Sequence, residues 1–519
     1  MMDDFYTDGA RGDTLRLQLP LCDKTLMHEV AEDFSLPDYQ PEIKRLLRVS
    51  ATVQPPTHYV GGGSAEFSGT IDYCVLYAGG DGGVYCFATS GDYSFRLPLE
   101  AGADFDLSDG LVVFADCDAE SVLGRVGGPR RINLKCRLAA HVKAFGNCVV
   151  ARKQKGNLAP GGEEQKLYRE EEVAVCALGT GEAFVLSEEI ALEGEWRIVS
   201  GDAQVAVDDV RCGAGRVSAR GEVILKLMLQ REGEMTLPEI IWRKIPFEKD
   251  VPVEDVTPVS EAIVTGSCSE LSLGMEEGRM LCDAEIILQA KAQTKERVSY
   301  LCDWYATDCE SECGTGEIVS PAPVCCLNGR VTQSESRTSE ELNLAKEAKI
   351  WDVSGAVQAE RVACEQGRIV MTGVCRYVLL LSMPDGEMTS RELNLPLRYV
   401  AQAPVTPDMS LNEETVLRLL SAKARYDGAR LSVDAEVGIH VKATTERTIR
   451  PVNSTVIGPE KERSDGRMTL CYPSREDTLW SVGKRYARSI DELVAANALQ
   501  DEKRADDKDS LSGVKVLVV

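Results

Sequence analysis

The sequence repeats itself at an offset of about 150 residues, and this period constrains the fold more than any other feature. The clearest copies are GRVSARG at Gly215–Gly221 and GRIVMTG at Gly367–Gly373, which lie 152 positions apart. A third copy, GSAEFSG at Gly63–Gly69, lies another 152 positions earlier and keeps both glycines. Units of this length far exceed the repeats of solenoid proteins, so we expect each copy to be a complete domain.

The residues of each copy indicate β-strands. The second glycine leads each time into a run typical of a strand: TIDYCVLY, EVILKLML or VCRYVLLL. Each copy ends in a long alternating strand, beginning at Arg131, Arg279 and Arg430, with one apolar face for the core and one polar face for water. The sequence therefore predicts a mainly β protein with three tandem antiparallel β-sandwich or barrel-like repeats.

Proline and boundary signals refine this prediction. A Leu/Ile-Pro-Leu/Phe triplet recurs around Pro98, Pro246 and Pro396, and proline is tolerated in edge strands or at strand starts. Short helices are expected in PEIKRLLR (41–48) and ELNLAKEAKI (341–350). We place β repeats at 1–160, 161–312 and 313–457, followed by a linker and a terminal module at 458–519.

The last fifty residues follow a different pattern and predict a small α+β module with the order βααβ. Asp477 is expected to cap a first helix, and Ser489 and Glu492 fit a capping box that opens a second one. Gly513 precedes a predicted final strand. Leu479, Val482 and Tyr486 follow at helical spacing and give the first helix one apolar face, and Leu493 and Ala496 of the second helix are expected to turn inward. Val514, Val516 and Val518 alternate along the final strand.

Charge and hydropathy exclude several classes of function. The formal net charge of -25, from 83 acidic and 58 basic residues, disfavours nucleic acid and anionic membranes as partners. The chain starts without a basic region and apolar run, and it has no stretch of eighteen apolar residues. We therefore expect a cytoplasmic protein without a signal peptide, a transmembrane segment or direct membrane insertion.

The sequence gives little support for a catalytic or metal site. Eighteen cysteines are too few for a disulfide scaffold, and those at inward strand positions read as reduced core thiols. His141 and His440 occupy equivalent positions where the middle copy has Gln289, so we expect solvated strand residues. No cofactor, no metal and no enzymatic activity are expected. The cysteines that come closest to a metal-site pattern, without paired spacing, are Cys302, Cys309, Cys313, Cys325 and Cys326.

Specific motifs carry a family resemblance. The stretch Asp477, Thr478 and Leu479, followed by an aromatic residue at Trp480 and later by Asn497, resembles a LysM domain. Together with PDYQPEI at residues 37–43 and the glycine-led strands, the whole chain resembles the tandem SPOCS-domain spore coat morphogenetic proteins of spore-forming Clostridia.

The resemblance implies a non-enzymatic scaffold or adaptor of the spore coat, made in the mother-cell cytoplasm and located at the forespore surface. Its implied partners are a coat morphogenetic ATPase, docked through the LysM module, and other coat proteins. The resemblance also implies a binding groove, lined by Asp477, Thr478 and Leu479 on one wall and by Asn497, Ala498 and Leu499 on the other. Trp480 belongs either to this groove or to the module core.

An alternative function remains open at this stage, namely binding of peptidoglycan or cortex glycan through N-acetyl sugars in the same groove. Two departures from the LysM pattern bear on the choice. Glu476 replaces the usual glycine, and the loop between Asn497 and Gly513 is long and charged. Charged loops desolvate poorly against a neutral glycan, so both departures favour a protein ligand.

Overall fold

The computed structural model describes residues 14–100, 102, 105, 106, 110–232, 237–406, 409–461, 469–499 and 504–519. Over these residues the protein is mainly β, and its sheets are antiparallel except for one short parallel pair. The first thirteen residues of the expected first domain, Met468 and the loop residues Gln500–Lys503 lie outside the described residues.

The first part of the chain forms two sheets that enclose one apolar core. The sheets have the orders β1-β8-β7 and β2-β4-β5, with the short strands β6 and β3 added to β8 and β4. We call them the first sheet pair. The strands are β1 (Thr14–Ser35), β2 (Ile43–Val53), β3 (Thr57–Gly61), β4 (Ser64–Gly79), β5 (Val84–Pro98), β6 (Phe105–Asp106), β7 (Val112–Gly128) and β8 (Arg131–Ala151).

A second sheet pair follows the short strand β9 (Lys153–Lys155). One sheet joins β10 and β11 end to end along β16, with β15 on its other side, and the second sheet has the order β12-β13-β14. The strands are β10 (Glu164–Thr180), β11 (Phe184–Ala191), β12 (Trp196–Gly213), β13 (Arg216–Arg231), β14 (Glu239–Pro252), β15 (Glu261–Glu276) and β16 (Arg279–Ala306).

The third sheet pair has the orders β18-β23-β22 and β19-β20-β21. Strand β17 and strand β24 form a separate small sheet in which β9 pairs in parallel with β24. The elements are β17 (Cys309–Thr315), β18 (Ile318–Thr338), α1 (Ser339–Leu342), β19 (Lys349–Glu365), β20 (Arg368–Ser382), β21 (Met388–Gln402), β22 (Asn412–Tyr426), β23 (Arg430–Ile449) and β24 (Val452–Glu460).

The chain ends with β25 (Leu470–Cys471), α2 (Leu479–Tyr486), α3 (Ile490–Asn497) and β26 (Leu517–Val518). The expected domain limit at 312 falls within β17, and that at 457 falls within β24. Among the described residues, no helix has the length and apolar character needed to cross a membrane.

The glycine motif has two separate structural causes. Its first glycine lies in a tight turn with positive φ, +70° at Gly215 and +74° at Gly367, where other residues are strained. Its second glycine lies inside a strand, opposite a β-bulge of the neighbouring strand. A Cβ at Gly221 would lie 1.9 Å from the Ala206 carbonyl oxygen, so only glycine fits there.

Sheet-edge strands account for the positions of the prolines, and β-bulges account for one helix that was predicted wrongly. Pro98, Pro246 and Pro396 lie on β5, β14 and β21, which are edge strands of their sheets, as expected. The helix predicted in PEIKRLLR is wrong, because Ile43–Val53 is strand β2. Two register shifts in β2 give its apolar residues a spacing that resembles that of a helix.

Residues from all three sheet pairs meet in shared apolar clusters. In one cluster Leu76, Met228 and Leu380 pack together, and they come from the central strands β4, β13 and β20. They are spaced 152 residues apart, the same offset as the glycine motif. The contacts between the sheet pairs are therefore as well buried as many core contacts, and the three pairs form one packed body.

Candidate functional site

The C-terminal unit has the element order strand, helix, helix, strand. Strand β25 pairs with β26 in antiparallel register, with Leu470 opposite Val518 and Cys471 opposite Leu517. The helices pack on this ribbon. The buried core of the unit consists of Cys471, Leu479, Val482, Leu493, Leu511 and Leu517.

The first turn of this unit is held by polar side chains, and the cap of α2 differs from the prediction. Thr478, rather than Asp477, is the N-cap: its Oγ1 accepts from the Ser481 amide at 3.1 Å, and Ser481 Oγ accepts from the Thr478 amide at 2.9 Å. Asp477 accepts from the Ser474 amide at 2.8 Å and from Arg485 at 2.5 Å. Asp477 thus closes the turn before the helix, which the spacing alone could not distinguish from a cap.

The residues expected to form the first wall of the groove make contacts within the unit instead. Leu479 is only 6% exposed and packs in the core. Its amide donates to Ser510 Oγ at 3.0 Å, and the Trp480 amide donates to the Ala505 carbonyl at 2.9 Å. The charged loop after α3 therefore takes up amides at the start of α2 that a ligand would otherwise use.

Most residues expected to form the second wall of the groove also make contacts within the unit. Asn497 donates to the Leu493 and Val518 carbonyls, both at 2.9 Å, and accepts from the Val518 amide at 2.7 Å, which fastens β26 to α3. Ala498 ends α3 in the left-handed conformation, and Leu499 packs partly against the core. Of the six expected groove residues, Ala498 has the exposed side chain.

Two details of the second half of the unit correct the sequence analysis. Ser489 accepts from the Glu492 amide at 3.2 Å and caps α3, but Ala496 is exposed, and Val494 packs on the core instead. In the last strand Leu517 is fully buried, whereas Val516 is 38% exposed. The predicted alternation of Val514, Val516 and Val518 is therefore not kept: only Leu517 and Val518 form the strand, Leu517 faces the core, and Val514 packs partly against that core.

A second face of α2 fixes the unit to the second sheet pair. Trp480 is 6% exposed, and its Nε1 donates to Asp303 Oδ2 on β16 at 2.8 Å. Its ring lies edge-on to Tyr305, with 4.9 Å between centroids, and the Tyr305 hydroxyl donates to the Arg488 carbonyl at 2.8 Å. Trp480 thus belongs to neither the groove nor the module core, and it anchors the unit to the body.

Charged groups reinforce this contact. Lys484 forms an ion pair with Asp303, and Cys313 lies 3.2 Å from the same carboxylate. Burial acts to raise the pKa of Asp303, but hydrogen bonds from Lys484 and Trp480 outweigh it and lower that pKa. Arg504, in the charged loop, donates to the Tyr168 carbonyl at 3.0 Å. The unit is therefore held on the body at several points.

The ribbon carries an apolar surface on the side away from the core. Tyr472 is 72% exposed, Leu470 is 47% exposed and Val516 is 38% exposed. We call these three residues the ribbon face. Large apolar side chains clustered at a surface are typical of contacts with other proteins.

A buried charge cluster lies where the three sheet pairs meet, and sequence reasoning missed it. Lys143, Lys291 and Lys442 occupy matching positions on β8, β16 and β23, and their ammonium groups surround the Glu414 carboxylate at 3.8, 3.9 and 2.9 Å. The side chains of Lys291 and Lys442 are 4% and 2% exposed. The repeated Lys-Ala dipeptide at the three strands was the available signal.

His440 also corrects the sequence analysis. It is buried rather than solvated, and its Nδ1 lies 2.9 Å from Asn328 Oδ1. Burial lowers the pKa of His440 to about 4, and Arg418 adds to this effect. His141, at the matching position, is exposed and lies 2.8 Å from Thr25 Oγ1. Equivalent sequence positions thus have different environments, because only one of them lies at the junction of the sheet pairs.

Within the described part of the chain, no group of three or more histidine, cysteine, aspartate or glutamate side chains is arranged to hold a metal ion. Comparisons of the chain with protein-family models, curated proteins and solved structures find no match.

Proposed function

We propose that this protein is a non-enzymatic scaffold of the spore coat, in which three SPOCS-like β repeats form the body and a LysM-like unit docks a partner. The partner is a coat morphogenetic ATPase at the forespore surface, in the mother-cell cytoplasm. Other coat proteins bind the body. The observation that carries the proposal is the ribbon face, an apolar surface on a unit that is itself fixed to the packed body of the three sheet pairs.

Three features support the repeat assignment. The three sheet pairs share one strand order, in which a long first strand pairs with a long last strand. The turn glycine and the strand glycine recur in the second and third pairs. The junction residues Leu76, Met228 and Leu380 follow the same offset.

The way in which the groove residues are used favours a protein ligand over a glycan. Asp477 and Leu479 are occupied by contacts within the unit, and the charged loop is bonded to the start of α2. A protein partner that covers Tyr472 and its neighbours would bury apolar area, which drives association. Fixing the unit to the body lowers the entropy cost of presenting this surface, because it is preorganised.

The test is a pull-down with the coat morphogenetic ATPase using Tyr472→Ala. We expect at least about a tenfold loss of affinity, since exposed aromatic anchors often dominate protein interfaces. Tyr59→Ala is the matched control, because Tyr59 is 71% exposed on the body and should leave binding unchanged. Equal binding by wild type and Tyr472→Ala would contradict docking through the ribbon face.

Glycan binding is examined separately by pelleting with purified peptidoglycan at low salt. If the unit binds a protein rather than a glycan, we expect the protein to stay in the supernatant. Pelleting that Ala498→Trp abolishes, and that Tyr472→Ala leaves intact, would instead assign the unit to N-acetyl sugars. Deletion of residues 468–519 is a poorer test, because it uncovers Tyr305 and Asp303 on the body.

A further inference from the structure

Two cysteine thiols lie together on one face of the β2-β4-β5 sheet. The Sγ atoms of Cys74 on β4 and Cys86 on β5 are 2.9 Å apart. Cys74 lies opposite Ala88, and Cys86 lies opposite Leu76, so the thiols are diagonal neighbours on adjacent antiparallel strands. A disulfide bond is about 2.05 Å long, so a small approach of the two side chains would allow bonding.

The surroundings of this pair distinguish its two thiols. Ser50 on β2 lies opposite Cys74, and Arg48, two residues before Ser50, lies on the same face of the strand. The Arg48 guanidinium is held by Asp352 at 2.5 Å, and its Nε is buried without a hydrogen-bond partner among the described residues. A fixed cation beside a thiol favours the thiolate, which is the nucleophilic form.

The pKa values of the two thiols are shifted in opposite directions, as this geometry leads one to expect. The hydrogen bond with Cys86 lowers the pKa of Cys74, against the opposing effect of burial, and Arg48 lowers it further. The same hydrogen bond, together with burial, raises the pKa of Cys86 well above its usual value. Cys74 is thus suited to attack an oxidant, and Cys86 to act second as the resolving thiol.

We propose that Cys74 and Cys86 form an oxidisable dithiol, a modification site that a small disulfide oxidant such as glutathione disulfide converts into an intrachain disulfide. The site is independent of the proposed docking function. It lies beside the cluster in which Leu76, Met228 and Leu380 meet, and Cys86 itself packs against that cluster. The bond would tie the edge strand β5 to β4 where the sheet pairs join.

The reaction has two exchange steps. The Cys74 thiolate attacks one sulfur of the oxidant, the disulfide of the oxidant breaks, and one thiolate leaves and takes a proton from water. Cys86 then releases its proton to water, and its thiolate attacks Cys74 Sγ in the mixed disulfide and expels the second thiolate, which takes a proton from water. The protein loses two electrons and two protons, and one disulfide oxidant becomes two thiols.

The experiment uses the full chain in buffers of increasing glutathione disulfide, followed by acid quenching, alkylation of free thiols and peptide mapping by mass spectrometry. We expect a peptide that links Cys74 to Cys86, and two fewer alkylated thiols than the eighteen of the reduced chain. Absence of that linked peptide while the circular dichroism spectrum remains that of the folded protein would overturn the proposal.

Two variants check the assignment. Cys86→Ser should stop at the first step and retain one glutathione on Cys74, seen as a mass increase on that peptide. Cys268→Ser alters another partly buried thiol, on β15, and should leave the linked peptide unchanged. Loss of two thiols in Cys86→Ser, as in the wild type, would show that another pair reacts and would refute the site. If Cys86→Ser does not fold, the wild-type peptide map still decides.

Discussion

Lys442 Nζ donates a hydrogen bond to Glu414 Oε1 at 2.9 Å, and this pair lies at the centre of the contact between the three sheet pairs. Lys143 and Lys291 complete the group around the same carboxylate. Burial acts to raise the pKa of Glu414, but Lys442 and the other two lysines outweigh it and lower that pKa. Glu414 is thus the shared counter-ion of three lysines that come from different parts of the chain.

Replacing Glu414 by glutamine should strongly destabilise the protein. The change removes the carboxylate that pairs with the buried ammonium group of Lys442, while Lys143 and Lys291 keep their ion pairs with Asp23 and Asp116. Breaking a buried pair in this way costs about 3 to 5 kcal/mol. Urea unfolding at pH 7 measures the difference. Glu365→Gln is the control, because Glu365 is exposed and lies 3.9 Å from Arg398, so it should change stability by less than about 1 kcal/mol. Similar effects of both substitutions would contradict the role of Glu414.

The buried imidazole of His440 should make stability depend on pH. Its pKa is about 4 in the fold and about 6.5 when unfolded, so between these values only the unfolded chain binds the proton. Acid therefore favours unfolding, and this contribution to stability is lost as the pH falls from about 6.5 to 4, roughly 3 kcal/mol in all.

The measurement is urea unfolding at half-unit pH intervals for His440→Gln and for His141→Gln. Glutamine can still donate to Asn328, so His440→Gln should flatten the profile in this window. His141 is exposed at the matching position, and its variant should keep the wild-type slope. Parallel profiles for wild type and His440→Gln would exclude the histidine as the source of the slope.

The mainly β architecture was predictable because strand alternation is a local property. In β23, Leu431, Val433 and Val437 face the core as their spacing indicates. The opposite face was expected in water, yet His440 and Lys442 on it are buried. His440 contacts Asn328, 112 positions away, and Lys442 shares Glu414 with Lys143 and Lys291 of the other two sheet pairs. Alternation within one strand cannot show which polar faces pack against one another.

The errors at the start of α2 and in β2 arise from shifts of one residue. Thr478 and Asp477 are both good capping residues, and only the backbone decides which one caps α2. In β2, bulges at Ile43/Arg45 and Leu46/Arg48 move apolar residues onto one face at a spacing that a helix would also give. The role of Trp480 depended on Asp303 and Tyr305, 177 and 175 positions away, which no local pattern reveals.

Adding a methyl group at Gly221 should destabilise the second sheet pair. A Cβ there would overlap the Ala206 carbonyl at 1.9 Å, so the bulge of β12 must move, and overpacking of this kind costs about 1 to 3 kcal/mol. Gly274→Ala is the matched control on β15, since its Cβ would meet nothing within 4 Å. Thermal unfolding of both variants compares them directly. Equal melting temperatures would show that the bulge yields without cost.

Trp480→Ala should release the C-terminal unit from the body without unfolding it, because the side chain contacts Tyr305 and Asp303 rather than the unit's core. Truncating a buried aromatic residue costs about 3 to 5 kcal/mol. The Asp308 amide reports on this contact, since it donates to the Ala487 carbonyl across the seam at 3.0 Å. Its hydrogen exchange should accelerate at least about tenfold, as expected for a contact weakened by 1.4 kcal/mol or more.

The Leu493 amide provides the internal control, because it donates to the Ser489 carbonyl within the unit at 3.2 Å and should keep its protection in Trp480→Ala. Val482→Ala gives the opposite pattern: Val482 is fully buried in the core of the unit, so its truncation should expose Leu493 to exchange. If Trp480→Ala accelerates Leu493 and Asp308 together, the tryptophan stabilises the unit itself. The separation of folding from docking, on which the ribbon-face proposal depends, would then be wrong.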